Sequence, residues 1–283
     1  MSIIKVILKH HKEEALRRFH PWVFSGAIHR FDGGTPADGD IVEVWSGGKE
    51  FLGVGHYHAG SIAVRILAFE AIVIDVDFWQ ARLESALLLR QRMVVSDDTN
   101  AYRLMHGEGD QCSGLIIDVY GDIVVFQAHS IGMHRSRLDI AAALQQLFAQ
   151  HNLPLRGIYD KSKNALPTQY AAEHCTEDYI WYATEQEEKP YSLTMRENGH
   201  LFEVNWKEGQ KTGFFLDQRD NRQLLAEHCK GKSVLNTFCY SGGFSIYALQ
   251  SGATKVVSVD ASERAIGLVE KNISINEIDP SLH

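Results

Sequence analysis

The sequence predicts a multi-domain chain with three blocks. These are a small β-barrel over residues 1–72, an α+β central domain over 73–188, and a hairpin with the first part of a doubly wound α/β domain over 189–283. Three observations lead there. Short apolar runs broken by glycine turns fill the first block, as in compact barrels. Helix-spaced and strand-like runs mix in the second. In the third, strand and helix patterns alternate, which is the order of a doubly wound sheet.

In the first block Ile3–Lys9 is a strand pattern, and Asp40–Val44 and Phe51–Gly55 flank Ser46-Gly47-Gly48. That triplet reads as a hairpin turn with glycine where positive φ is needed. Ser61–Phe69 alternates apolar and polar residues, and the Gly/Asp-rich stretch Asp32–Asp40 is a loop. In the second block Asp77–Met93 is an amphipathic helix, with Phe78, Leu83, Leu87 and Arg90 at spacings of three or four. Leu115–Val119 and Ile123–Gln127 form a hairpin through Tyr120-Gly121-Asp122. Leu138–Phe148 is a second helix, and Arg156–Asp160 and Tyr179–Tyr182 are further strands. The acidic run Glu185–Glu188 before Pro190 reads as a linker.

In the third block residues 191–208 form a hairpin around Asn198-Gly199, a favoured two-residue turn. Ser233–Phe238 is a short buried strand and Phe244–Gln250 a helix. Lys255–Asp260 is a strand without polar alternation, as in a parallel sheet covered on both faces, and Glu263–Asn276 is a helix. Two strands are fewer than the five or six of a doubly wound sheet, so the expectation is a domain present only in part.

The loop Asn236-Thr237-Phe238-Cys239-Tyr240-Ser241-Gly242-Gly243 joins a strand to a helix. Its glycines let backbone approach a ligand and turn into the helix. Asp260 ends the next strand, 17 positions after Gly243. A carboxylate there can accept hydrogen bonds from two ribose hydroxyls. Ser262 is placed to cap the following helix, with Ala265 at its third position. The loop lacks the three spaced glycines that a dinucleotide pyrophosphate requires. One Gly-Gly with aromatic neighbours suits S-adenosylmethionine (SAM) better, since SAM carries no phosphate. The plain alternative is a structural turn in some other α/β protein.

Composition sets limits. With 45% apolar residues the chain can bury two or three cores. No run approaches the ~20 apolar residues of a membrane span. Met1-Ser2-Ile3-Ile4-Lys5 lacks a secretory pattern, so a cytoplasmic protein is expected. Cys112, Cys175, Cys229 and Cys239 form no C-x-x-C pair, and no metal is expected. The net charge of −8 hides an asymmetry. Residues 1–30 hold six Lys/Arg and two acids, +4, leaving −12 for the remainder. His10, His11, His20 and His29 lie at the same end. A basic module of this kind can bind polyphosphate, or it can be a solvated face.

Four motifs then appear in order: H-P-W-V-F-S-G (20–26), G-L-I-I-D-V-Y-G-D (114–122), Q-K-T-G-F-F-L-D-Q-R-D-N-R (210–222) and N-T-F-C-Y-S-G-G-F-S (236–245). Together they resemble the PUA-containing bacterial large-subunit ribosomal RNA cytosine-5 methyltransferases. The resemblance runs from about Ile4 to the last residue. It implies a PUA-like RNA-binding barrel, a central α+β domain and a class I, Rossmann-like methyltransferase domain. It implies SAM as cofactor, large-subunit ribosomal RNA as partner, and no membrane; a homodimer is compatible with it. Asn236, Phe238, Tyr240, Gly242 and Gly243 would form the SAM loop, with Asp260 on the ribose. Phe214, Phe215, Gln218 and Arg219 would close the cofactor's other side. Arg219 can pair with the SAM carboxylate as a fork. Alternatively, Asp217, Arg219 and Arg222 form an ion-pair network at a helix start. Arg17, Arg18 and His20 are the RNA-contact candidates; Trp22 suits a core position better than a stacking platform.

Methylation at C5 of cytosine implies a cysteine thiolate that adds to C6 and makes C5 nucleophilic. The resemblance puts that cysteine, and an acidic-Pro-Pro motif, downstream of the second strand. Neither occurs within residues 1–283, and Asp279-Pro280 has one proline and follows the helix. Cys239 has no basic neighbour in sequence to lower its pKa, and all four cysteines read as structural. The expectation is a C-terminally truncated fragment that is inactive by itself. A different class of reading is a non-catalytic RNA-binding protein using the basic barrel.

Overall fold

The computed structural model describes residues 3–184 and 188–283; most of the expected linker Glu185–Glu188 lies outside them. The chain divides into two compact units. One comprises Met1–Leu89, Leu104–Ile117 and Asp122–Thr184; the other comprises Arg90–Arg103, Asp118–Gly121 and Glu185–His283. No helix among the described residues is long and apolar enough to cross a membrane.

The first unit starts with β1 (Ile4–Leu8), α1 (Glu14–Arg17), β2 (Trp22–Phe24), β3 (Ile28–Asp32), β4 (Ile41–Trp45), β5 (Phe51–Tyr57) and β6 (Ile62–Ala68). Their six strands make one sheet in the order β2-β6-β5-β4-β1-β3. Alternation puts Val6, Leu8, Val42, Val44, Val64 and Ile66 into a single buried core. The expected barrel is a six-stranded sheet in which no ladder joins the end strands β2 and β3, which are connected by the 3₁₀ turn Ser25–Ala27. A second correction concerns the turn between β4 and β5. Positive φ falls on Lys49 (+67°), not on Gly47 or Gly48. Gly47 is small for another reason: a Cβ there would sit 3.2 Å from the His10 ring.

Helix α2 (Val76–Met93) precedes β7 (Ala101–His106), β8 (Leu115–Tyr120) and β9 (Ile123–Ala128). After them come α3 (Ile131–Arg135), α4 (Arg137–Gln150), β10 (Gly157–Asp160), α5 (Thr168–His174) and β11 (Tyr179–Tyr182). The five strands are ordered β11-β10-β9-β8-β7. Strand β10 runs parallel to β9 and antiparallel to β11. The expected β8–β9 hairpin is present, turning at Gly121 with φ +58°.

In the second unit β12 (Ser192–Glu197) and β13 (His200–Asn205) form the hairpin read from Asn198-Gly199, with φ of +49° and +80°. Helix α6 (Arg219–Ala226), β14 (Ser233–Thr237), α7 (Gly243–Gln250), β15 (Lys255–Val259) and α8 (Glu263–Ile275) follow. Strands β14 and β15 pair in parallel, Ser233 opposite Lys255 through Thr237 opposite Val259. Ser262 caps α8, its side chain accepting from the Ala265 N–H. The expectation of strands covered on both faces fails. Val234 and Val256 face the helices, whereas Leu235, Val257 and Val259 are exposed on the other face. An apolar run reports that both faces are apolar; it does not supply what covers them.

Candidate functional site

The loop from β14 to α7 takes left-handed backbone three times, at Phe238 (φ +58°), Tyr240 (+48°) and Gly242 (+71°). Residues with a Cβ resist that region, so neighbouring bonds must hold it. The Cys239 N–H donates to the Val259 carbonyl at 3.2 Å, and the Gly242 N–H to the Cys239 carbonyl at 2.8 Å. Asp260, just past β15, ties both segments. Its Oδ2 accepts from the Tyr240 N–H and its Oδ1 from the Ser262 N–H, each at 3.0 Å. These N–H donors, Ser262 first and Tyr240 next, hold the Asp260 carboxyl below its ordinary value. The ionised carboxylate keeps lone pairs beyond the two in use.

Across from the loop, a strap of residues 206–218 connects β13 to α6. The Tyr240 hydroxyl accepts from the Gln210 N–H at 3.0 Å and donates to the Gly213 carbonyl at 3.1 Å. The Tyr240 ring meets Phe215 edge-on at 5.3 Å. The Lys211 ammonium lies 4.4 Å over the Phe215 ring and 3.5 Å from Asp217. Burial pushes the Asp217 carboxyl up, but Lys211 and the residue's own N–H outweigh it and leave the group below its ordinary value.

Loop and strap enclose a cavity of about 590 Å³, within the range of small-molecule sites. Phe214, Phe215 and Gln218 form its wall on the strap side. Phe238, Tyr240, Gly243 and Asp260 line it on the loop side.

Three expected residues sit elsewhere. Arg219 is outside the lining, its Nε donating to Asp220 at 3.1 Å. Asn236 points to the helix side of β14, where its Nδ2 donates to Ser245 Oγ at 2.8 Å; strand alternation turns it away from the cavity. Gly242 supplies conformation rather than surface, since a Cβ there would lie 2.9 Å from the Val269 side chain. The alternative network of Asp217, Arg219 and Arg222 is not formed. Asp217 pairs with Lys211, Arg219 with Asp220, and Arg222 with Glu197.

Sequence reasoning missed Lys211 and Arg222 on the wall and Asn272 behind it. Asn272 is fully buried, its Nδ2 donating to the Ser241 carbonyl at 2.7 Å and its Oδ1 accepting from the Glu203 N–H at 2.8 Å. The available signal was a polar residue on the buried stripe Ala265, Val269, Ile273 of α8. Cys239 also lines the cavity, but burial, followed by Asp260, pushes its thiol up, which opposes a thiolate.

Of the RNA-contact candidates, Arg17 is engaged by Glu14 at 2.8 Å and Glu50 at 2.7 Å, which removes much of its free charge. Arg18 and His20 are exposed. Trp22 is half-buried, its Nε1 donating to Glu108 and Ser113 at 3.2 Å, which anchors the ring.

Comparison with known proteins supplies independent findings. Residues 6–69 match a PUA-like domain model, and residues 165–280 match an S-adenosylmethionine-dependent methyltransferase model. The ribosomal RNA large subunit methyltransferase I of Pseudoalteromonas atlantica is 37% identical over 279 residues, 98% of this chain and 68% of that protein. The protein of the same name from Photobacterium profundum is 38% identical over 267 residues, 94% and 65% respectively. The chain therefore spans about two thirds of the length of these relatives. Among solved structures, a SAM-dependent methyltransferase from Streptococcus mutans superposes with a TM-score of 0.80 at 26% identity, covering 100% of this chain and 69% of that one. A methyltransferase solved in complex with SAH superposes at 0.81, also at 26% identity, with the same coverage.

Proposed function

The chain belongs to the family of SAM-dependent ribosomal RNA large subunit methyltransferases that carry a PUA-like domain, and from that premise we propose that its cavity holds SAM for methylation of large-subunit ribosomal RNA at C5 of a cytosine. The observation that carries the cofactor assignment is the junction of Tyr240 and Asp260 facing the aromatic strap across one cavity.

The residues present fit SAM in kind. Asp260 offers an ionised acceptor for ribose hydroxyls at the end of a strand. Phe215, Phe238 and Tyr240 offer ring faces and edges to an adenine or a sulfonium. Lys211 and Gln218 offer donors to a carboxylate, the role first expected of Arg219. Bound there, SAM supplies an electrophilic methyl group on sulfur.

The cytosine-5 product is supported by the order of the four motifs. Addition to a pyrimidine needs a thiolate, and the four thiols described are held against ionisation. Burial pushes Cys112 up to about 12 and raises Cys175, Cys229 and Cys239. The observations on the described residues bear on cofactor capture and RNA docking. Of the RNA-contact candidates, Arg18 and His20 are exposed to phosphate without the acidic partners that engage Arg17. A cytoplasmic setting goes with a ribosomal substrate.

The test has two arms. Calorimetry with SAH on this chain should give saturable 1:1 binding; no heat would overturn the cofactor assignment. Labelled methyl from SAM, offered to large-subunit RNA with this protein, should appear in 5-methylcytidine. Label in another nucleoside would overturn the product assignment. RNA binding without any SAH binding would favour the non-catalytic reading.

A further inference from the structure

Behind the strap lies a buried polar cluster that does not reach the cavity. Thr212 is fully buried, and its hydroxyl donates to Asp118 Oδ2. A threonine has one hydroxyl hydrogen, so the Tyr120 hydroxyl, 3.0 Å away, is left to donate to Thr212 Oγ1. Asp118 is also fully buried and is neutralised by Arg103, whose Nε and Nη2 approach it at 2.8 and 3.0 Å. Asp118 and Tyr120 come from the G-L-I-I-D-V-Y-G-D motif and Thr212 from Q-K-T-G-F-F, so one hydrogen-bond set joins two segments 94 positions apart.

The sequence neighbours of Thr212 are wall residues. Lys211 precedes it, and Phe214 and Phe215 follow one residue further on. Gly213 between them has φ +130°, and a Cβ there would lie 2.7 Å from Val204, so the chain bends where it leaves Thr212. On the cavity side Tyr240 holds Gln210 and Gly213. The strap is thus pinned from both sides within four residues, and only the Tyr240 pin touches the cavity. Burying an ionised carboxylate is costly unless it is paired and hydrogen-bonded. Here the partners of Asp118 are the Arg103 guanidinium and the Thr212 hydroxyl, which ties Thr212 in place.

We propose that Thr212, held by Asp118 and Tyr120, is a positioning residue for the SAM cavity: it sets the path of Phe214 and Phe215, and thereby cofactor affinity, without touching the cofactor. The proposal rests on the reading that this cavity binds SAM.

The test measures SAH binding by calorimetry on the full 283-residue chain, with the urea unfolding midpoint recorded for every variant. Thr212→Val removes the hydroxyl at nearly constant volume and should weaken SAH binding about ten-fold or more. Thr212→Ser keeps the hydroxyl and should stay within about three-fold of the unaltered chain. Rescue by serine separates a hydroxyl-mediated effect from general loosening. If Thr212→Val does not fold, Tyr120→Phe, which removes a single donor, should weaken binding about three-fold or more. Unaltered affinity in a folded Thr212→Val or Tyr120→Phe variant, while the parent chain binds SAH, would overturn the positioning role and leave the cavity assignment standing. Absence of SAH binding by the parent chain would overturn the cavity assignment, and the positioning role with it.

Discussion

Glu197 and Arg222 form a doubly hydrogen-bonded ion pair, 2.8 Å at each contact, with both side chains buried. Glu197 ends β12 and Arg222 lies in α6, so the pair fastens the hairpin to the strap's helix. Arg222 also donates to the Phe215 carbonyl at 3.1 Å and lies 4.7 Å over the Phe214 ring. The Tyr247 hydroxyl donates to Glu197 Oε1 at 3.1 Å. Removing one partner leaves an uncompensated buried charge, which typically costs about 3–5 kcal/mol. Arg222→Met and Glu197→Leu should each lower the urea midpoint strongly, and the double substitution should cost less than either alone. A double variant as unstable as the sum of the singles would show that the two charges are not coupled and would overturn the orphaned-charge account.

The stability of the first unit should depend on pH through His56. His56 is buried, stacked 6.4 Å from Trp79 and 3.3 Å from the Ser136 hydroxyl. Burial, followed by repulsion from Arg135 and Arg65, holds its pKa at about 4, against 6.5 for a free histidine. The folded pKa is depressed, so the unfolded chain binds the extra proton. Stability is full above about 6.5 and is lost as the pH falls toward 4, by on the order of 3 kcal/mol. His56→Gln should flatten that loss in urea midpoints measured between pH 7 and 4. Equal slopes in parent and variant would assign the acid sensitivity to other groups.

Gly242 is the one glycine of the β14–α7 loop whose conformation and surroundings both exclude a side chain. Alanine there meets left-handed backbone, a penalty of about 1–2 kcal/mol, and a contact of 2.9 Å with Val269. Gly242→Ala should therefore destabilise the chain and weaken SAH binding. In a Val269→Ala background its cost should fall but not vanish, because only the contact is relieved. The same cost in both backgrounds would mean that the Val269 contact contributes nothing.

What the sequence made legible was local. The Asn198-Gly199 turn, the Ser262 cap and the position of Asp260 at a strand end each depend on a few neighbouring residues, and all three appear as read. Longer relationships left no periodic trace. Nothing in the spacing of Glu197 and Arg222, or of Asp118 and Thr212, marks them as partners, because tertiary packing chooses them. The glycines at 47 and 48 announced a turn, but the positive φ falls on Lys49. The D-Q-R-D-N-R run pointed to Arg219 as the arginine facing the cofactor. Helical phase gives Arg222 the buried position and leaves Arg219 beside Asp220.

Asp260 carries the sharpest test of the proposed cofactor site. Its carboxylate is held ionised by the N–H groups of Ser262 and Tyr240, which lower its pKa. A group already ionised cannot titrate near neutrality, so Asp260 should impart no pH dependence to SAH binding between pH 8 and about 5. Affinity should fall only below the usual carboxylate range, where protonation removes an acceptor. Asp260→Ala removes the acceptor outright and frees two backbone donors, and should weaken SAH binding by about 1–3 kcal/mol in calorimetry. Asp260→Asn keeps one acceptor oxygen but no charge, so it should fall between the parent and the alanine variant. Unchanged affinity in a folded Asp260→Ala variant would refute the ribose assignment, because no other carboxylate on the loop side of the cavity stands at a strand end.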